Sequence, residues 1–172
     1  MDKREQVLDV VQDLTLETGR MPSILDIASR LGLTKQGVLH YFPSRAALDA
    51  AVVARAMTKV DDAMTAAAAT GGSPVATYLR FSTPDDSDRA AAMVLAAAFR
   101  GNESGVPPEL EQAAARWETL IAVEVGDPVR AEVVRLVGDG LLTEALLTGT
   151  APAVERVERL IAHLTAAMRS VE

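Results

Sequence analysis

The chain contains no cysteine, which excludes a disulfide framework and any thiolate chemistry. Aromatic residues are scarce: one Trp, two Tyr and three Phe among 172 residues, so a core must be built from Ala, Val and Leu. With only two histidines, His40 and His163, far apart in sequence, a histidine metal site or proton shuttle has little support. Gly-rich phosphate loops and nucleophile elbows are missing, so neither an enzyme nor a cofactor or metal is expected. No apolar run reaches transmembrane length, because Arg, Asp or Glu interrupts every candidate. The opening MDKREQ is charged and unlike a secretory signal. A cytoplasmic protein with no membrane partner is expected.

What is abundant is alanine, with Glu and Arg between, a composition that favours helices. Val7, Val10, Val11 and Leu14 recur at helical spacing over residues 3–18, and Gly19 ends that segment. Ser23 is placed to cap a second helix, with Asp26 three residues on, and Gly32 stops it. A short helix follows in LTKQGVLHYFPSR, capped by Thr34 and ended by Pro43. From Arg45 to about Thr70 there is no Gly or Pro, which predicts one long helix. PVATYLRF, AAAMVLAAAF, the Trp117 segment, the stretch from Asp127-Pro128 to Gly149, and a last segment from Pro152 to about Arg169 complete the count. The expectation is an all-α fold of about nine helices. Its first three form a domain over residues 1–46, and residues 47–172 form a second helical domain.

Charge separates the two parts. The net charge is −7, yet residues 1–46 are neutral overall, and from Arg20 to Ala46 four basic side chains face Asp26 alone. Polyanion contact depends on local positive charge, so the overall acidity does not exclude nucleic acid. Helices two and three carry the spacing of a helix-turn-helix. Ala28 is small where the helices cross, Gly32 permits the sharp turn, and Val38 joins Ile27, Leu31 and Leu33 in a small core. Val38 and Phe42, four apart, share the inward face. Lys35, Gln36, His40 and, at the edge, Tyr41 fall on other faces. Gly37 lies on the outward arc, where it costs about 1 kcal/mol relative to Ala. A glycine there makes sense if another molecule's backbone comes close, and for a recognition helix that molecule is DNA.

The run GRMPSILDIASRLGLTKQGVLHYFPSRAAL, from Gly19 to Leu48, resembles the DNA-binding domain of the tetracycline-repressor (TetR) family of bacterial transcriptional regulators. The resemblance lies in IA-x-x-x-G, then T-K, then H-Y-F-x-S-R, and VGDGLL at 137–142 also suits the family. It implies base contacts from Lys35, Gln36 and Gly37, and phosphate contacts from Ser23, Thr34, Tyr41 and Arg45. His40 stands where the duplex is often faced. Leu39 replaces the family's usual tyrosine, which removes one hydroxyl. The implied partners are operator DNA, a small-molecule effector and a second copy of the chain, which together describe a repressor released by its effector. A module of the same fold without DNA regulation is the alternative.

Beyond residue 50 the resemblance is architectural. Met57, Val60 and Met64 share one face of the long helix, and with Phe81, Met93, Phe99 and Trp117 they are candidates to line an apolar effector pocket. Plain core is the other reading for each of them. Val133, Val137, Leu141 and Ala145 form one stripe near the C-terminus; Val157, Leu160, Ile161, Leu164 and Met168 form another. Gly138 permits close helix approach. Two such helices from each subunit would make a four-helix bundle around a two-fold axis, or both stripes are buried within one subunit. The Asp61-Asp62 and Asp85-Asp86-Asp88 clusters read as solvated faces or helix caps in preference to cation sites.

Overall fold

The computed structural model describes the backbone of residues 2–101 and 108–169, with side chains described for 2–97 and 112–166. Among the described residues there are nine α-helices and no strand: α1 Lys3–Thr18, α2 Ile24–Leu31, α3 Lys35–Tyr41, α4 Arg45–Ala69, α5 Pro74–Phe81, α6 Arg89–Gly101, α7 Pro108–Val125, α8 Pro128–Thr148 and α9 Val154–Arg169. A 3-10 turn at Asp86–Asp88 precedes α6.

Local chemistry sets the boundaries. The Asp2 carboxylate caps α1, and Gly19 closes it in the left-handed conformation (φ 65°). Ser23 and Asp26 form a full capping box on α2, each side chain accepting the other's backbone N–H. Asp127 and Pro128 start α8 as the sequence leads one to expect, whereas α9 begins at Val154, two residues beyond Pro152. The acid cluster at 85–88 is a cap, since Asp85 accepts from the Ser87 backbone and hydroxyl. No group of acidic or histidine side chains among the described residues is arranged to hold a metal ion, and no described helix is long and apolar enough to cross a membrane.

The chain divides into two compact units, Met1–Ala56 with Asp85–Glu103, and Met57–Pro84 with Ser104–Glu172. The core of the first contains Val7, Val11, Ile27, Val38 and Phe42, none of which is exposed. It extends past residue 46 because Leu48 and Val52 of α4, and Ala90 and Ala91 of α6, complete it. Gln12 on α1 reinforces the last pairing by accepting the Ala90 N–H and donating to the Asp86 carbonyl. The second core is built on Met64, Leu79, Trp117, Ile121, Val134 and Ile161. The long helix α4 therefore has its N-terminal half in one core and its C-terminal half in the other.

Candidate nucleic-acid interface

The turn between α2 and α3 is compact because Gly32 takes φ 64°, which lets the Leu33 N–H reach the Ala28 carbonyl at 2.9 Å. Thr34 then caps α3, its hydroxyl oxygen accepting the Gly37 N–H at 3.1 Å. Val38 and Phe42 are fully buried, as their spacing predicts. Arg4 locks the far end of α3: its guanidinium donates to the Tyr41 carbonyl at 3.1 Å and lies 4.4 Å from the Phe42 ring centroid.

This anchoring leaves Thr34, Lys35, Gln36 and His40 exposed, with Gly37 and Tyr41 half-buried beside them. The His40 and Tyr41 rings meet edge to face at 5.2 Å. Ser23, at the start of α2, is exposed as well. Capping by Ser23 and Thr34 uses an oxygen lone pair, so each O–H proton remains a donor that a phosphate oxygen can accept. Of the four basic residues between Arg20 and Ala46, three have carboxylate partners: Arg20 with Asp26, Arg30 with Glu17, and Arg45 with Asp49. Among the described residues, Lys35 alone of the four has none.

Gly37 carries the most information. A Cβ built there would meet only Leu33 and Thr34 side-chain atoms, at 3.5 Å or beyond, which is ordinary contact. Nothing within the fold requires glycine at that position.

In the second unit, Met57 and Val60 pack half-buried against the core that holds Met64 and Trp117, so these four candidates come together. Phe81 is half-buried with the Lys59 ammonium 5.7 Å from its ring. Met93 falls within the first unit, in α6. The side chain of Phe99 lies outside the described residues. Asp61 is no solvated face: the Trp117 indole N–H and Arg116 both donate to it, which fixes α7 against α4. Sequence reasoning missed Tyr78, whose hydroxyl donates to Asp139 at 3.0 Å and whose ring meets that of Trp117 at a tilt, 6.2 Å between centroids. Burial, and next the Asp139 charge, push the Tyr78 phenol well above its ordinary range.

The C-terminal stripes divide by burial. Gly138, Leu141 and Ala145 on α8, and Val157 and Ile161 on α9, are buried within the chain, and Val137, Leu160 and Leu164 pack half-buried beside them. Gly138 does permit a close approach, but by Tyr78 and Ser82 of the same chain. The Met168 side chain lies outside the described residues. Val133 is the one member of those stripes, among the described residues, that is largely exposed, at 44%. It belongs to a different stripe, Val129, Val133, Leu136, Gly140 and Leu147, with exposures of 54–74% for Leu136, Val129 and Leu147. The signal was present in the sequence: steps of four, three, four and seven keep to a heptad seam, opposite the buried face Ala131, Val134, Gly138, Leu141 and Ala145.

A small helix-turn-helix unit joined through one long helix to a second all-helical unit is the architecture of a class of transcriptional regulators. Residues 72–169, more than half of the chain, match the model of the tetracyclin repressor-like C-terminal domain, and the chain belongs to the tetracycline-repressor family. This is a family of transcriptional regulators, not of enzymes. One solved structure, described as the molecular basis for control of antibiotic production by a bacterial hormone, is 23% identical with a TM-score of 0.72, the match covering 96% of both chains. A transcriptional regulator of the TetR/AcrR family from Aquifex aeolicus VF5 is 18% identical with a TM-score of 0.64, over 99% of this chain and 100% of that one. At these identities the likeness is one of fold. No curated protein matches the sequence.

Proposed function

We propose that the protein is a cytoplasmic repressor that binds a palindromic operator as a homodimer through α2 and α3. A small, largely apolar molecule in the second unit releases it. The carrying observation is Gly37: an outward helical glycine that the fold does not need, beside the unpaired cation Lys35 and the donors Gln36 and Thr34. Such a surface suits the major groove, where the first residues of a recognition helix meet base edges. Release is a linkage effect. An effector seated among Met57, Val60, Met64 and Trp117 touches α4, which also carries Leu48 and Val52 of the first core. If it prefers a setting of α4 that fits DNA poorly, it lowers operator affinity by the ratio of its affinities for the two settings.

Gly37→Ala tests the DNA-binding half with effects of opposite sign. The variant should melt higher, by up to about 1 kcal/mol of stability, because alanine is the better helix former and its methyl meets no obstacle. It should bind a duplex selected from a random library at least tenfold more weakly. Undiminished binding would show that nothing approaches Gly37, and absence of salt-sensitive, sequence-selective binding by the unaltered protein would favour a module without DNA regulation.

Dimerisation is assigned to the exposed α8 stripe and not to the buried one. A second copy is the occupant that a two-fold operator requires, and the heptad spacing suits helix-on-helix packing. Leu136→Arg, at a position 54% exposed, should leave each chain folded while shifting sedimentation to the monomer. A variant that still sediments as a dimer would place the interface elsewhere.

A further inference from the structure

Family resemblance gives Arg45 a phosphate to hold, but in this structure its guanidinium is engaged within the protein. Nη1 donates to the Pro22 carbonyl at 2.6 Å, and Nε donates to Asp49 Oδ1, one turn further along α4, at 2.8 Å. Asp49 is half-buried, and burial pushes its carboxyl up while Arg45 pulls it back. Pro22 is buried and directly precedes Ser23, whose hydroxyl and carbonyl take the N–H groups of Asp26 and Ile27. The first turn of α4 is thereby tied to the residue just before the Ser23 cap of α2, through a planar fork whose two donors point at two acceptors.

We propose that Arg45 is a positioning residue, which holds the N-terminus of α2, and with it the Ser23 hydroxyl, in register for DNA instead of spending its charge on a phosphate. Asp49 is the second member of the device, because it orients the guanidinium toward Pro22. Ser23 is the group that meets the backbone oxygen. The inference rests on the DNA-binding reading above, and it makes two charge-dependent expectations that a phosphate contact does not share.

The test compares Arg45→Met, Arg45→Lys, Asp49→Asn and Lys35→Ala on one selected duplex across a salt series. Each phosphate neutralised adds about 0.9 to the slope of log affinity against log salt. Arg45→Met and Arg45→Lys should each bind about tenfold more weakly with the slope unchanged. A slope lower by about one in Arg45→Met, together with restored affinity in Arg45→Lys, overturns the proposal. Asp49→Asn removes a negative charge near the duplex, so electrostatics alone would tighten binding, whereas loss of positioning weakens it several-fold. Equal or tighter binding by Asp49→Asn also overturns the proposal. Without DNA, amide exchange at Asp26 and Ile27 should quicken several-fold in Arg45→Met and Asp49→Asn but not in Lys35→Ala; unchanged exchange counts against the device. If the unaltered protein selects no duplex while the exchange result holds, the DNA-binding reading fails and the tie between α4 and α2 stands.

Discussion

Phe42→Ala should destabilise the first unit by about 3–5 kcal/mol, the range for truncating a buried aromatic ring. The ring has no exposed surface and sits among Val38, Ile27 and Leu48, with the Arg4 guanidinium over one face. Truncation removes the largest fully buried side chain of this core and leaves the Arg4 guanidinium without the ring it lies over. Urea unfolding followed by circular dichroism would measure the loss. Phe42→Leu, which keeps most of the volume, should cost less, about 1–2 kcal/mol. If Phe42→Ala unfolds like the unaltered chain but no longer binds DNA, then the ring serves recognition and the helix is rotated from the setting described.

Gly138→Val should be comparably damaging in the second unit. A Cβ at that position would lie 2.3 Å from Tyr78 Cε1 and 2.6 Å from Ser82 Oγ, closer than real atoms approach. Tyr78 cannot easily yield, since it is buried and its hydroxyl is bound to Asp139, which Arg135 holds at 2.7 Å. Overpacking of this kind costs about 1–3 kcal/mol for a methyl group, and the branched side chain adds more. In a chain of this size that corresponds to a fall in melting temperature of roughly 2–4 °C per kcal/mol. A Gly138→Ala variant that melts with the unaltered protein would show that α5 and α8 can separate freely.

These two positions show what the sequence could and could not convey. Phe42 is legible because its partners are local: Val38 is one turn back, and Ile27 lies across a turn whose caps are written in Ser23, Gly32 and Thr34. All nine helices follow from such nearby signals. Gly138 is legible only as a close approach, because the approaching Tyr78 comes from a helix some sixty positions earlier. The pairing of Trp117 with Asp61 is hidden for the same reason. The C-terminal stripe divides between two faces for a geometric reason. A run spaced uniformly by four, Val133, Val137, Leu141, Ala145, turns by about 40° at each step. It therefore winds from the exposed face of α8 onto the buried one. Alanines give still less: nothing in Ala90 and Ala91 says which of two cores they will complete.

That last placement bears on how the molecule can be cut and recombined. Because residues 85–103 return to the first unit after the chain has left it, the path passes between the units three times, once in the middle of an unbroken helix. No single junction severs one unit from the other. A chimera made by joining a foreign sensing half after residue 46 would remove Leu48, Val52, Ala90 and Ala91 from the core beneath the recognition helix. A functional graft must carry 1–56 and 85–103 as a matched pair, so the protein is modular in space but not along its chain.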